Sequence, residues 1–131
     1  MHILKIKKSA EFQNISKQGQ KFFSQTLLLL AYPTLEIYLR EDSKDFCRAG
    51  YTVAKTVSKL AVERNRAKRR LREAIRSLAP QYAKNNFDYV VIARKEILTA
   101  DFTKISTDLK FCLTRIHRQK TSSDNANKNR N

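Results

Sequence analysis

Arg64, Arg66, Lys68, Arg69, Arg70, Arg72 and Arg76 place seven cations within thirteen residues whose only acid is Glu73. Such a run favours one chemistry. A guanidinium is a planar fork that grips a phosphate through two parallel hydrogen bonds and stacks on flat rings, which an ammonium does not do. Asn65, set between two arginines, adds a donor and an acceptor that suit a phosphate, a 2′-hydroxyl or a base edge, although a plain polar surface role stays open. If the run is helical, like charges meet at i,i+4 in Arg66/Arg70, Lys68/Arg72 and Arg72/Arg76, each pair costing ~0.2–0.5 kcal/mol. A helix that met only water would intersperse glutamates. Here the relief has to come from an outside polyanion.

Hydrolysis by the polypeptide finds no parts. A two-metal centre needs clustered carboxylates, and acid–base cleavage needs placed histidines. Asp42 and Asp45 sit in a polar turn, Glu73 lies among arginines, and Asp88 and Asp101 flank an apolar strand where capping explains them. His2 and His117 stand near opposite ends, and Gly19 and Gly50 are the only glycines, too few for a phosphate-cradling loop. Cys47 and Cys112 are isolated and read as buried reduced thiols. No catalytic residue and no metal ligand is expected.

The whole chain agrees with the local run. Its 27 Lys+Arg against 12 Asp+Glu leave a net charge of +15, where solubility alone asks for ~2–8. A folded domain this cationic repels itself until it meets a polyanion, and nucleic acid is the abundant soluble one. At 131 residues and 41% hydrophobic, the chain fits one domain with a real core. The longest greasy stretch, 27–32, falls far short of the roughly 18 residues of a membrane span. The basic start, 1–8, is followed by no apolar signal region. A cytoplasmic protein with no membrane partner is expected.

The elements that position the arginines follow from periodicity. Ser9 opens a short helix over 9–18 with Phe12 and Ile15 on one face and Gly19 as terminator. Residues 21–32 read as a first strand ending at Pro33, 36–40 as a second with Ile37 and Leu39 on one side, and 46–55 as a third, with a polar turn over 41–45. From 58 to 78 the period becomes helical, with Leu60, Ala67, Leu71, Ala74, Ile75 and Leu78 on one stripe and Pro80 just past the end. Lys68, Arg69, Arg72 and Arg76, with Asn65, cover one flank, and Arg66 and Arg70 turn the other way. Residues 89–93 form an apolar run suited to a central strand. A last amphipathic helix, with Thr99 as cap, turns Phe102, Ile105, Leu109, Cys112, Leu113 and Ile116 inward. The expected fold is α+β, a two-layer sandwich of a four-stranded mixed sheet with helices in the order α-β-β-β-α-β-α. It is one domain over 1–118 with a disordered basic and polar tail over 119–131.

Arg64-Asn65-Arg66-x-Lys68-Arg69, followed by Leu71-Arg72-Glu73, resembles the arginine–asparagine–arginine signature of the protein subunit of bacterial ribonuclease P. Phe12, Ile15 and Gly19 look like that family's first helix and its terminator. Arg48-x-Gly50-x-Thr52-Val53-x-Lys55 is similar to its third strand, and Asp88-Tyr89-Val90-Val91-Ile92-Ala93-Arg94 to its late central strand. The likeness spans roughly residues 9 to 118. It implies an RNA-binding subunit that assists a catalytic RNA in removing the 5′ leader of precursor tRNA, with Mg2+ held mainly by that RNA and no obligate protein partner. It also implies a left-handed crossover carrying the arginine helix, against the right-handed habit of such connections. Carried over, the surface for the RNA subunit is Arg64, Asn65, Arg66, Lys68, Arg69 and Arg72, and the leader cleft uses Phe12, Arg48, Thr52 and Lys55. Two positions depart: Ser16 stands where a second aromatic is common, and Lys55-Thr56 where paired lysines are. Phe22, Phe23 and Tyr51, which would compensate, read first as core. Another RNA-binding module, such as a ribosomal protein, would share the charge but not the collinear motifs. A protein-only nuclease would need the missing acid cluster.

Overall fold

The structure, a computed structural model, describes residues 1–39 and 45–130, with side chains as far as residue 118. Strand β1 (His2–Lys5) leads into helix α1 (Ser9–Gln18), then β2 (Gln20–Phe23), β3 (Leu27–Pro33) and β4 (Phe46–Thr52). Helix α2 (Ala61–Tyr82), strand β5 (Phe87–Ala93) and helix α3 (Phe102–Arg130) complete the chain. The sheet order is β1-β4-β5-β3-β2, with β1 and β5 parallel to β4 and with β3 antiparallel to both β5 and β2. The α+β class and the mixed sheet are as expected. The sheet has five strands rather than four.

The extra strand is β1, which the lysines of 1–8 disguise. It pairs parallel with β4, Ile3 against Cys47 and Lys5 against Ala49. The expected strand over 21–32 is two strands, because the Asp108 carboxylate of α3 accepts from the Thr26 amide at 3.1 Å and its hydroxyl at 2.6 Å and pins a turn between them. Of the strand expected over 36–40, the described residues 36–39 do not form one. Glu36–Tyr38 is a 3-10 turn that leaves Ile37 79% exposed and swings Tyr38 over Arg48. Helix α2 starts later and runs further than 58–78: Leu60 is its exposed N-cap, and Pro80 lies inside its last turn. Asp101, not Thr99, caps α3 by accepting from the Lys104 amide at 2.8 Å, and Phe102 is exposed. Of the polar turn expected over 41–45, residues 41–44 lie outside the described residues, and the side chains of the tail over 119–131 lie outside those described.

Helices cover both faces of the sheet, so the fold has a third layer beyond the expected two. Strand residues alternate faces. Leu27, Leu29, Ala31, Cys47, Ala49, Tyr89 and Val91 pack with α2 and α3 in the larger core. Leu30 and Val90 pack with Ile6 and Ile15 under α1 in a smaller one. The end of α1 needs Gly19, since a Cβ there would lie 2.5 Å from the Ile15 carbonyl oxygen and 2.9 Å from that of Ala31.

Arg48 ties α1 to the sheet. Its Nε donates to Asp88 Oδ1 at 2.9 Å, and its Nη2 donates to Glu11 Oε1 at 2.7 Å and Asp88 Oδ2 at 3.1 Å. Thr34 adds a hydroxyl to Asp88 at 2.7 Å, and the Tyr38 ring lies 4.3 Å from the guanidinium. Burial pushes the Asp88 carboxyl above its ordinary range, against the pull of Thr34 and Arg48. At Glu11 burial is outweighed by Arg48 and the Lys8 amide, which hold its carboxyl low.

Two outcomes test this packing. Arg48→Ala strands two buried carboxylates and should cost about 3–5 kcal/mol in urea unfolding; a loss under ~1 kcal/mol would show that the knot is dispensable. Cys47 and Cys112 are free and buried, and burial pushes the Cys47 thiol up to about 11. A thiol reagent at pH 8 should therefore leave the folded chain unmodified and label both cysteines in denaturant.

Candidate nucleic-acid interface

Helix α2 is anchored on one seam. Ala67, Leu71, Ala74, Ile75 and Ala79 are all buried. Burying Leu71 and Ile75 stabilises by ~1.5–3 kcal/mol each, more than the like-charge pairs cost at ~0.2–0.5 kcal/mol apiece. The seam wins, and the charges stay outside. Asn65, Arg69, Arg72 and Arg76 succeed one another at helical spacing along one exposed ridge, with Arg66 exposed on the other flank. Among the described residues one carboxylate pairs with the run, Glu73 with Arg76 at 3.4 Å, and both partners are exposed. An exposed pair of that kind is worth little.

Three cations of the run are half-buried. Arg64 Nη1 donates to the Ser58 carbonyl at 2.9 Å, and Arg70 Nη2 to the Ala100 carbonyl at 2.9 Å. Lys68 lies between the ridge and the seam. Around Arg64 the helix start is knotted, since Ser58 Oγ accepts from the Leu60 amide and donates to Glu63. Of the six residues expected to face RNA, Asn65, Arg66, Arg69 and Arg72 are fully outward, while Arg64 is oriented by the cap.

The other expected site lies on the opposite face of the sheet. Arg48, Gly50 and Thr52 alternate along β4 toward α1, and Phe12 rests directly on Gly50. A Cβ at Gly50 would come within 2.5 Å of the Phe12 ring. Thr52 is half-buried and Lys55 is exposed in the turn after β4. The structure thus brings Phe12, Arg48 and Thr52 to one face, but the Arg48 guanidinium is engaged by Glu11 and Asp88 rather than free for phosphate.

The same face holds a feature missing from the expected set. Thr52 pairs with Ile92, Ile92 with Leu28, and Leu28 with Phe23, forming one row across four strands. Phe23 is 66% exposed, where core was expected. The Arg94 guanidinium stands 5.5 Å over its ring, held by a 2.8 Å hydrogen bond to the Ser24 carbonyl. The signal was present in the adjacent pair Phe22-Phe23, because neighbours on a strand face opposite ways. Phe22 and Tyr51 pack partly against the larger core.

Among the described residues, no three acidic, histidine or cysteine side chains converge where they could hold a metal ion, and no helix is long and apolar enough to cross a membrane. No donor set among the described residues fits a protein-bound Mg2+.

Residues 2–117 match the sequence family described as Ribonuclease P. The ribonuclease P protein component of Paramagnetospirillum magneticum is 39% identical over 112 residues, covering 86% of this chain and 81% of that protein. That of Gluconacetobacter diazotrophicus is 38% identical over 106 residues, covering 81% and 84%. Among solved structures, the RNase P protein from Thermotoga maritima superposes with a TM-score of 0.70 at 26% identity, covering 86% of this chain and 96% of that one. The Staphylococcus aureus RNase P protein gives 0.66 at 27%, covering 83% and 91%. With an outward arginine ridge, a matching fold and a match along nearly its whole described length, the chain belongs to the ribonuclease P family, as the RNA-binding protein component of that ribonucleoprotein enzyme.

Proposed function

We propose that the chain works by holding two RNAs on two faces: the catalytic RNA subunit on α2, and the single-stranded 5′ leader of precursor tRNA on the sheet face beside α1. The observation that carries the first half is the exposed ridge of Asn65, Arg69, Arg72 and Arg76, with Arg66 beside it and almost no carboxylate nearby. Arg64 and Lys68 support its flanks. Two large RNAs repel, and a cationic body between them lowers that cost and fixes their register. Cleavage belongs to the RNA, which we take to hold Mg2+, and no step is routed through an ion on the polypeptide. A cytoplasmic setting fits this work. The left-handed β4–α2–β5 crossover is supported by the family likeness alone.

For the leader, Phe12 offers one ring and Thr52 a hydroxyl, with Lys55 at the mouth. Phe23 supplies a second ring under Arg94, at the far end of the row that Thr52 begins. Aromatic platforms suit a single strand because every base has a π-face. Arg48 acts here by positioning: it holds α1 at its distance from the sheet.

Binding to the RNA subunit should weaken steeply with salt, log K falling by ~0.7 per neutralised phosphate for each decade for single-stranded contacts. Arg69→Glu should weaken assembly roughly 10- to 100-fold, the worth of a charge-assisted hydrogen bond, and leave unfolding within ~0.5 kcal/mol of the parent. If that variant unfolds instead, Arg69 is structural and the ridge is misassigned. Precursor tRNA should be cut at low Mg2+ only when chain and RNA subunit are both present; cleavage by the chain alone would overturn this function. Phe23→Ala should raise KM at least about fivefold for a substrate with a long leader, and leave KM unchanged when the leader is cut to one nucleotide.

A further inference from the structure

Strand β1 makes a second concave surface on the side of the sheet away from α1. It runs along β4 beside the arginine ridge, and a cleft opens between them. The floor is apolar, made by Ile3, Ala49 and the Tyr51 ring, and the rim is cationic, made by Lys5, Arg72 and Arg76. No carboxylate is among its described lining residues. The Arg72 guanidinium stands 5.8 Å over the Tyr51 ring, and Arg72 and Arg76 belong both to the ridge and to the cleft.

We infer that this cleft receives one unstacked base of the RNA subunit, laid against Tyr51, with the neighbouring phosphates on Lys5, Arg72 and Arg76. The inference rests on α2 being the face that meets that RNA. Three observations carry it. Cations alone would suit any polyanion, but an apolar floor with an aromatic wall wants a flat ring between the charges. Its volume of about 170 Å3 lies below the ~300–1,000 Å3 of pockets that enclose a drug-sized ligand, so it suits one ring and not a whole free nucleotide. A backbone gripped along Arg69, Arg72 and Arg76 passes the mouth of the cleft, so a base can turn in without the strand leaving the ridge. An acidic peptide would satisfy the rim but has no ring that needs the floor.

The chain has no tryptophan, so Tyr51→Trp creates a single reporter in the floor. In the full chain, the RNA subunit alone should quench its emission while binding within about threefold of the parent, and precursor tRNA alone should not. Tyr51→Phe should bind like the parent. Tyr51→Leu should bind roughly 5- to 100-fold more weakly, the worth of one base stack, with an unchanged salt slope because the phosphate contacts remain. Arg72→Gln should instead lower the slope by about one contact. Unchanged emission from a Tyr51→Trp chain that binds normally overturns the cleft alone, as does quenching by precursor tRNA but not by the RNA subunit. Tyr51→Trp decides the matter even if Tyr51→Leu does not fold. A parent chain whose binding to the RNA subunit is flat in salt overturns the ridge itself.

Discussion

Ala67, Leu71, Ala74, Ile75 and Ala79 fix α2 to the body of the molecule, and every one of them is buried. Three of the five are alanines, so the helix backbone can lie close against α3 and β4 while long side chains are carried elsewhere. That closeness decides what the rest of the helix can afford. Intrinsic helix formation would resist so many like charges in sequence, but tertiary burial outweighs the repulsion, and the guanidinium groups of Arg66, Arg69, Arg72 and Arg76 are left exposed, with Glu73 the one carboxylate paired to the run among the described residues. A protein that neutralised them with its own acids would be more stable and would have nothing to offer a polyanion.

The sheet acts as a partition. Its alternating side chains feed one large apolar core toward α2 and α3 and a small one toward α1. The small core would hold a ten-residue helix weakly by itself, and the Arg48 knot supplies the missing constraint. A cation buried between Glu11 and Asp88 is costly to desolvate unless its geometry is well satisfied. Here all three groups find hydrogen-bond partners, with Thr34 completing Asp88. The cation that looked free in the sequence is the one that sets the height of α1 above the strands.

Periodicity made α1, α2, β5 and α3 legible, and with them the outward arginines, because each carries an amphipathic or continuous apolar pattern in local sequence. What escaped depends on partners far along the chain. Strand β1 is four residues among lysines, and only its pairing with 46–49 makes it a strand. The turn between β2 and β3 contains neither glycine nor proline; Asp108, more than eighty residues away, dictates it. Ile37 and Leu39 alternate like a strand, yet both stay exposed because the chain there turns Tyr38 toward Arg48. The cation ridge was readable as a surface. Arg48 was not readable as a buried ion, since Glu11 and Asp88 come from two distant elements. Phe22 and Phe23 face opposite ways on β2, and local sequence does not say which of the two rings meets the core.

Phe12 occupies the volume that a side chain at position 50 would need. The two sites therefore share one space: bulk gained on the strand has to be met by a smaller or displaced ring on the helix. Across descendants of this chain, an alanine or serine at 50 should arrive together with a smaller residue at 12, or with a helix lifted away from the strands. A single missing methyl thus sets how deep the groove can be and ties its width to the size of one ring.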